Sequence, residues 1–562
     1  MAEDNASILK KENRWQLRND VVDMSMVFAK GSIDLTSFRN IKAAVNYVEP
    51  DNKGHLFSHV CNDSLVRADD GGWVLEGDEN HKLTYIQAWD GNHAVRVATD
   101  PLAVQLILFP SEEVEYFSVN LGVFSGDSID GRVAVSGHFR QRFKYHDPSH
   151  FLSTNDWDWP EKERTNDATY RSTAIPRAAS AGFDRMHFDD YWYWPADSCQ
   201  PKNDWTDMPS LCELIVSNGM KPGHWFSLQG KYCGDAWANG RDCADPANVA
   251  FKIKQCEEIL IGQYKSAWDQ LDAGLLWKNA EPNAYSHPSD SVYRKILGMR
   301  KYMNSITHKY PDFIMQATCE IDNPAKKQNV GIAHLCDNGM AGMFVRTDNE
   351  DHVRDLFDSI GLFPLEGLAA TYEVRHRQWQ DSPNWYYQLL LARHASFYVW
   401  PGHWSPERIT RLRTFNDWRR NPRIKAALAE MVRPVYNGKD WQRNDGPWAW
   451  TCVNEQKSGA ILLALHHQKT GYVKPIRPSL RWLDDNKTYL IEDITMGTNG
   501  FTYAFMGAHP GAALKSQGFE IDLAAHPHRC AAFWIQELKA NEPQVLYADH
   551  NVSSIKEKNG PS

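Results

Sequence analysis

Two textures alternate along this chain from about residue 150 to 435. Short apolar runs recur there, and stretches with helical periodicity lie between most of them. The candidate strands are FLSTNDW, DRMHFDD, KPGHWFSL, QYKSAWDQLD, DFIMQATCE, GIAHLCDNG, LFPLEGL and SFYVWPG. The candidate helices are MPSLCELIVSNG, ANVAFKIKQCEEIL, SVYRKILGMRKYMNSITHK, EDHVRDLFDSIG and NWYYQLLLARHA, with SPERITRLRTFNDWRRNPRIKAALAEM after the eighth strand. Eight strand–helix units predict a (β/α)8 TIM barrel. A doubly wound open sheet would use the same alternation. No G-x-G-x-x-G follows the first strand, however, which weakens its nucleotide-binding version.

The flanks have a different texture. Before about residue 148, runs such as Ala94–Ala98, Ala103–Leu108 and Arg132–Val135 sit between Gly, Asp and Asn clusters. After residue 436, AILLALHH, TYLIEDIT and RCAAFWIQEL read as strands, with TGYVK as a turn-rich interruption. Such patterns suit antiparallel sheets. The expected fold is therefore multidomain: an N-terminal antiparallel β-sandwich (1–148), a catalytic barrel (149–435), a C-terminal antiparallel β-sandwich (436–545) and a polar tail (546–562). A chain of 562 residues with 42% apolar content can supply several cores.

Composition narrows the partners. A net charge of −10 argues against nucleic acid and against an anionic membrane surface. Ala460–Leu465 is among the longest apolar runs, so no transmembrane span is expected. The opening MAEDNASILKKENRW is polar and unlike a signal peptide; a secreted or periplasmic location stays open if a leader has been removed. Ten Cys with no C-x-x-C spacing give no support to a zinc or redox motif. Disulfides among Cys199, Cys212, Cys233 and Cys243 and free thiols are equally compatible with the spacing. The 22 Trp and 22 Tyr fit either large aromatic cores or rings that cover the apolar faces of sugars.

In such barrels the chemistry is built at the C-terminal ends of the strands. Acids gather there: Asp156 after strand one, Asp189 and Asp190 at strand two, Asp269 and Asp272 at strand four, Glu320 at strand five and Asp337 at strand six. Each alone reads as a loop acid or a helix cap. Together they suggest a converging set, and two carboxylates flanking one bond are what glycoside hydrolysis requires. Phosphoryl transfer would want a phosphate-cradling loop or a metal-bound Asp cluster. Of the His near these ends, neither His224 nor His334 forms a metal-binding pattern, and no G-x-S-x-G elbow is present.

These segments resemble glycoside hydrolase clan D, most closely the family 36 α-galactosidases and α-N-acetylgalactosaminidases. STNDWDW resembles the strand-one segment with its sugar-site Trp, and AASAGFDRMHFDDYWYW the Asp-Asp-x-Trp segment of strand two. GMKPGHWFSL resembles strand three, YKSAWDQLD the Lys-Trp-Asp nucleophile segment, and AHLCDNG the acid/base segment of strand six. FPLEGLAATYEVRHRQ and ARHASFYVWPG resemble the closing strands. The resemblance implies a retaining exo-acting α-glycosidase with no metal or organic cofactor. Its partner is an oligosaccharide or glycoconjugate substrate.

Carried over, the likeness makes Asp269 the nucleophile and Asp337 the acid/base, with Asp272 a rival nucleophile. Asp189 and Asp190 would hold sugar hydroxyls, and Trp157, Trp192 and Trp225 would line the pocket. The match departs from the family at three places. Ala267 stands where the family has Lys two places before the nucleophile, leaving Lys265 as the nearest candidate. Cys319 is kept, but Glu320 and the residues after it replace a Gly-rich loop. Ser227 stands near where a Glu commonly follows the strand-three Trp. Glu320 and Asp322 become candidate contacts to the 2-substituent or an aglycone sugar. A transglycosidase, as in raffinose-synthase-like relatives, and a non-catalytic carbohydrate-binding protein on the same scaffold are the alternatives.

Overall fold

The computed structural model describes residues 7–29, 32–42, 44–46, 54–58, 84–89, 93–99, 120–125, 128–142, 151–157, 159–164, 166–189, 192, 207–226, 243–272, 291–318, 339–346, 368–373, 394–435, 447–466, 475–497, 500–501, 503–526 and 529–539. At the N-terminal end β1 (Ser7–Lys11), β2 (Arg14–Arg18), β3 (Val22–Ala29), β4 (Ser32–Asn40), β5 (Val45–Asn46) and β6 (Gly54–Ser58) pair antiparallel. A second antiparallel sheet joins β7 (Thr84–Trp89), β8 (His93–Thr99) and β9 (Asn120–Ser125). The expected strand at Ala94–Ala98 lies within β8; the one at Ala103–Leu108 lies outside the described residues.

Arg132–Val135 is not a strand but part of helix α1 (Ser128–Arg142). Four residues of R-V-A-V fit either period, so contacts made at a distance decide. Asp130 in the first turn favours the positive helix N-terminus and pairs with Arg481 at 3.1 Å. Val133 is buried in the main core, and Arg140 donates to the Ala429 carbonyl at 2.7 Å.

The middle of the chain forms β10 (Phe151–Asn155), β11 (Arg185–Phe188), β12 (Lys221–Trp225), β13 (Trp268–Asp272), β14 (Ile314–Thr318), β15 (Gly339–Arg346), β16 (Leu368–Glu373) and β17 (His394–Phe397). Each pairs in parallel with the next, and β17 pairs with β10, closing the sheet on itself. Between β10 and β11 lie α2 (Glu161–Arg164), α3 (Asp167–Thr169) and α4 (Ile175–Ser180), the last two joined by a π-turn at Tyr170–Ala174. Helices α5 (Met208–Ser217), α6 (Pro246–Gln255) and α7 (Ser291–Lys309) follow β11, β12 and β13. Helices α8 (Pro406–Arg420) and α9 (Pro422–Leu428) follow β17. The expected helix EDHVRDLFDSIG lies outside the described residues, as does NWYYQLLLARHA except for its last two residues, His394 and Ala395, which open β17 instead.

Local sequence explains where several helices begin. Asp207, Asp245, Ser405 and Asn421 each accept a first-turn N–H, and each is followed within two residues by Pro, which lacks the N–H a helix start leaves over. That pairing also splits the long last helix expected from sequence at Asn421–Pro422. Gly182 (φ 79) and Gly219 (φ 80) turn the chain out of α4 and α5 in the left-handed conformation that suits glycine.

Two strands differ from expectation. The sixth and seventh strands of the closed sheet are Gly339–Arg346 and Leu368–Glu373; of the expected GIAHLCDNG and LFPLEGL only Gly339 and Leu368 lie among the described residues. Both true strands carry Gly or Ala where local β propensity looks for branched residues. Their pairing to β14 and β17 outweighs it.

Alternation along the barrel strands separates two environments. Phe151, Trp268 and Ile314 cluster inside the barrel, with the Arg185 guanidinium 4.0 Å from the Phe151 ring. Their chain neighbours Leu152, Met186 and Met315 belong instead to the large core beneath the helices. The interior is tight: a Cβ on Gly223 would come within 2.5 Å of the Trp268 ring.

The C-terminal sheet runs β18 (Val432–Pro434), β19 (Trp448–Val453), β20 (Gly459–Leu465), β25 (Cys530–Glu537), β21 (Thr488–Asp493), β24 (Ala504–Pro510), with β22 (Met496–Gly497) and β23 (Gly500–Phe501) forming a separate hairpin. Its residues split by parity. Trp448, Trp450, Ile461 and Leu463 join the barrel's core, while Ala449, Val453, Leu462 and Ala464 form a second core. Among the described residues that second face is covered by α10 (Gly511–Ser516) and by residues 476–483 and 519–523, tied by one bridge between Ile476 and Ile521. TGYVK and the polar tail lie outside the described residues.

Candidate active site

The C-terminal end of the barrel gathers polar groups from its first two strands. Asn155, the last residue of β10, is buried and uses its whole amide. Its Oδ1 accepts the Trp157 N–H at 2.8 Å. Its Nδ2 donates to Asp189 Oδ2 at 2.9 Å and lies 2.7 Å from His187 Nδ1. His187 stands over Trp268 inside the barrel, with ring centroids 4.2 Å apart. Burial and the neighbouring His224 ring hold its pKa well below the usual histidine range, so it is neutral.

Asp156, the next residue, faces the other way. One oxygen accepts the Asp189 N–H at 2.6 Å, and the other accepts the hydroxyl of Tyr170, which opens the π-turn. Burial, then the charge of Asp189, raises its pKa to about 7. Asp189 is thus held twice, by its backbone through Asp156 and by its side chain through Asn155. Trp157 is half-buried, and its carbonyl accepts from Arg164 at 2.8 Å. Trp192 donates Nε1–H to the Trp225 carbonyl at 2.8 Å. Its ring is enclosed by His224 and Tyr264, so it supports the wall rather than lining it.

The structure does not bring Asp269 to this mouth. It is the second residue of β13, beside the inward-facing Trp268, and its carboxyl points to the helix layer. Asp269 Oδ2 accepts the Tyr302 hydroxyl of α7 at 3.0 Å. The group is fully buried. Burial pushes its pKa well above the carboxylate range, against the opposing pull of Tyr302, the Lys252 ammonium and the Phe226 N–H. A carboxyl buried behind the sheet on Tyr302 does not face a sugar at the mouth, so the nucleophile expected at Asp269 is corrected. The cause is the strand's reach: β13 runs three residues past Asp269 and ends on Asp272.

Lys265 is corrected as well. It precedes β13 at the opposite end of the barrel, is exposed with φ 52, and donates to the Gly262 carbonyl at 2.7 Å. Asp190, Cys319, Glu320 and Asp337 lie outside the described residues. Strand six begins at Gly339, two positions after Asp337, and does not end on it. Among the described residues no group of three or more His, Cys, Asp or Glu could hold a metal ion. No described helix is long and apolar enough to cross a membrane.

No family model matches the sequence, and no curated protein matches it. Solved structures do match over nearly the whole chain. The galactosidase domain of an α-galactosidase–sucrose kinase superposes with a TM-score of 0.62 at 13% identity, covering 95% of this chain and 82% of that one. The α-galactosidase of Lactobacillus brevis gives 0.62 at 12%, covering 97% and 85%. A variant of the family 36 α-galactosidase AgaA of Geobacillus stearothermophilus, in complex with raffinose, gives 0.62 at 11%, covering 96% and 86%. The fold is that of the family 36 α-galactosidases.

Within a family 36 α-galactosidase fold, sequence reading passed over Asn155 and His187. Both lie inside quoted motifs, STND and RMHFDD, yet neither is an acid or an aromatic. Their only local signal was a polar residue on the inward parity of a buried strand.

Proposed function

We propose that this chain is a retaining exo-acting α-glycosidase that removes terminal α-galactoside or α-N-acetylgalactosaminide residues from an oligosaccharide or glycoconjugate. One observation carries the reading. The closed parallel sheet delivers Asn155 and Asp189 to the same end of the barrel at which β13 terminates on Asp272. Helices in 347–367 and 374–393 completing a (β/α)8 barrel, and flanking β-sandwiches, belong to the same proposal.

In this reading Asp272 is the nucleophile. It stands three residues beyond Asp269, an odd step, and so shares the parity of the inward-facing Trp268. Gln270 then occupies the place two before the nucleophile, where the resembled family has Lys, and offers a neutral amide instead. Asp348 is the first acid after the end of β15 at Arg346 and takes the acid/base role in place of Asp337. Asp272 attacks the anomeric carbon while the protonated Asp348 gives its proton to the leaving oxygen. Asp348 then takes a proton from water, which releases the sugar with its configuration retained. Asp189 and Asp190 receive sugar hydroxyls, Trp157 and Trp225 flank the ring, and Cys319 and Glu320, directly after β14, contact the 2-substituent.

The test is turnover of aryl α-glycosides of galactose, N-acetylgalactosamine, glucose and L-arabinopyranose by wild type, Asp272→Asn and Asp348→Asn. Wild type is expected to cleave a galactose-configured substrate, and Asp272→Asn to lose at least about 1,000-fold. Binding of the sugars without turnover by wild type would instead make the chain a carbohydrate-binding protein.

A further inference from the structure

We propose that Asn155 and His187 are positioning residues that set the orientation of the Asp189 carboxylate for sugar binding; the proposal rests on the glycosidase reading above. The orientation of the Asn155 amide is fixed. Its Oδ1 takes the Trp157 N–H, so Nδ2 is the end that faces Asp189. The second hydrogen of that NH2 then points at His187 Nδ1, 2.7 Å away. His187 Nδ1 must be an acceptor, which assigns the neutral tautomer with its proton on Nε2. The side chain is fully buried, and Nε2 makes no hydrogen bond among the described residues.

The arrangement has direction. Trp268 fixes the His187 ring from below, His187 fixes the second hydrogen of Asn155, and Asn155 fixes Asp189 Oδ2. Asp189 Oδ2 also lies 3.7 Å from His187 Nδ1, too far for a direct bond, so the amide is the link between them. A carboxylate that must accept a particular sugar hydroxyl loses affinity when its orientation becomes free, because binding then has to restore the order. Neither residue meets the scissile bond in this account. Their effect should appear in sugar affinity and leave bond cleavage in the bound complex nearly unchanged.

The experiment measures kcat and KM on an activated aryl α-galactoside, and calorimetric Kd for D-galactose. The proteins are wild type, His187→Phe, His187→Asn and Asn155→Leu. His187→Phe keeps a ring on Trp268 but removes the acceptor; His187→Asn restores a carbonyl oxygen near the Nδ1 position. His187→Phe and Asn155→Leu are expected to raise KM and Kd together by about 10-fold or more with kcat within about threefold, and His187→Asn to recover most of the loss. A crystal structure of His187→Phe should show the Asp189 carboxylate rotated from its wild-type direction. Unchanged KM and Kd, a fall confined to kcat, or an unmoved Asp189 would overturn the proposal while leaving the glycosidase intact. A wild type that neither binds nor cleaves any galactoside would remove the glycosidase reading itself. If His187→Phe fails to fold, Asn155→Leu carries the same readouts, and unchanged KM, Kd and Asp189 orientation in it would overturn the proposal.

Discussion

Asp156 offers a stability test whose size follows from the structure. Its carboxyl rises from 3.8 to about 7 on folding, chiefly through burial and then through the charge of Asp189. Below about pH 4 folded and unfolded chains both keep the proton, and the full stability is present. Between about pH 4 and 7 the folded protein holds a proton that the unfolded chain has released. Stability therefore falls as pH rises, by 1.36 kcal/mol per unit, or about 4 kcal/mol in all. Above about pH 7 both forms are ionised and the loss is complete. Asp156→Asn removes this dependence while keeping both contacts: the new carbonyl accepts the Asp189 N–H, and the new amide donates to Tyr170. The variant should match wild type near pH 4.5 and exceed it near pH 7.5. At roughly 2 °C per kcal/mol for a domain of this size, the gap in Tm should open to about 8 °C. Thermal unfolding followed by near-UV circular dichroism across that range measures it. A difference that does not change with pH would mean that Asp156 takes up no proton on folding.

Two further outcomes follow. Tyr302→Phe leaves Asp269 buried without its hydroxyl partner and should cost about 1–3 kcal/mol in denaturant unfolding, with kcat unchanged; a large loss of kcat would return Asp269 to the chemistry. Gly223→Ala drives a methyl into the Trp268 ring inside the closed barrel and should cost about 1–3 kcal/mol or more, read as a lower Tm.

How far the sequence spoke depended on whether the deciding contact was local. β10, β11, β12 and β14 were readable because each is a short apolar run bounded by turn residues, α5 and α6 because cap and period agree, and α7 from the period of Met299, Tyr302, Met303 and Ile306. β15 and β16 were not, since GMAGMFVR and LAATYE become strands only through their pairing to β14 and β17. The same distinction governs the acids. A Trp before an Asp pointed to Asp269, but which acid of WDQLD ends the strand is set by the register Asp272↔Thr318, a contact some 45 residues away in sequence. Asp189 was legible as a candidate. The Asn155–His187 pair that orients it was not, because its meaning lies in a hydrogen bond between two strands.

In the proposed mechanism Asp272 forms the covalent bond to the sugar. A fluorinated α-galactosyl fluoride that traps the glycosyl-enzyme, followed by trypsin and tandem mass spectrometry, tests it directly. Cleavage after Lys265 and Lys278 yields SAWDQLDAGLLWK, which contains both acids in one peptide. Fragment ions should place the added sugar mass on Asp272. A label on Asp269 would contradict the account, because a carboxyl hydrogen-bonded to Tyr302 behind the sheet would then have reached the substrate.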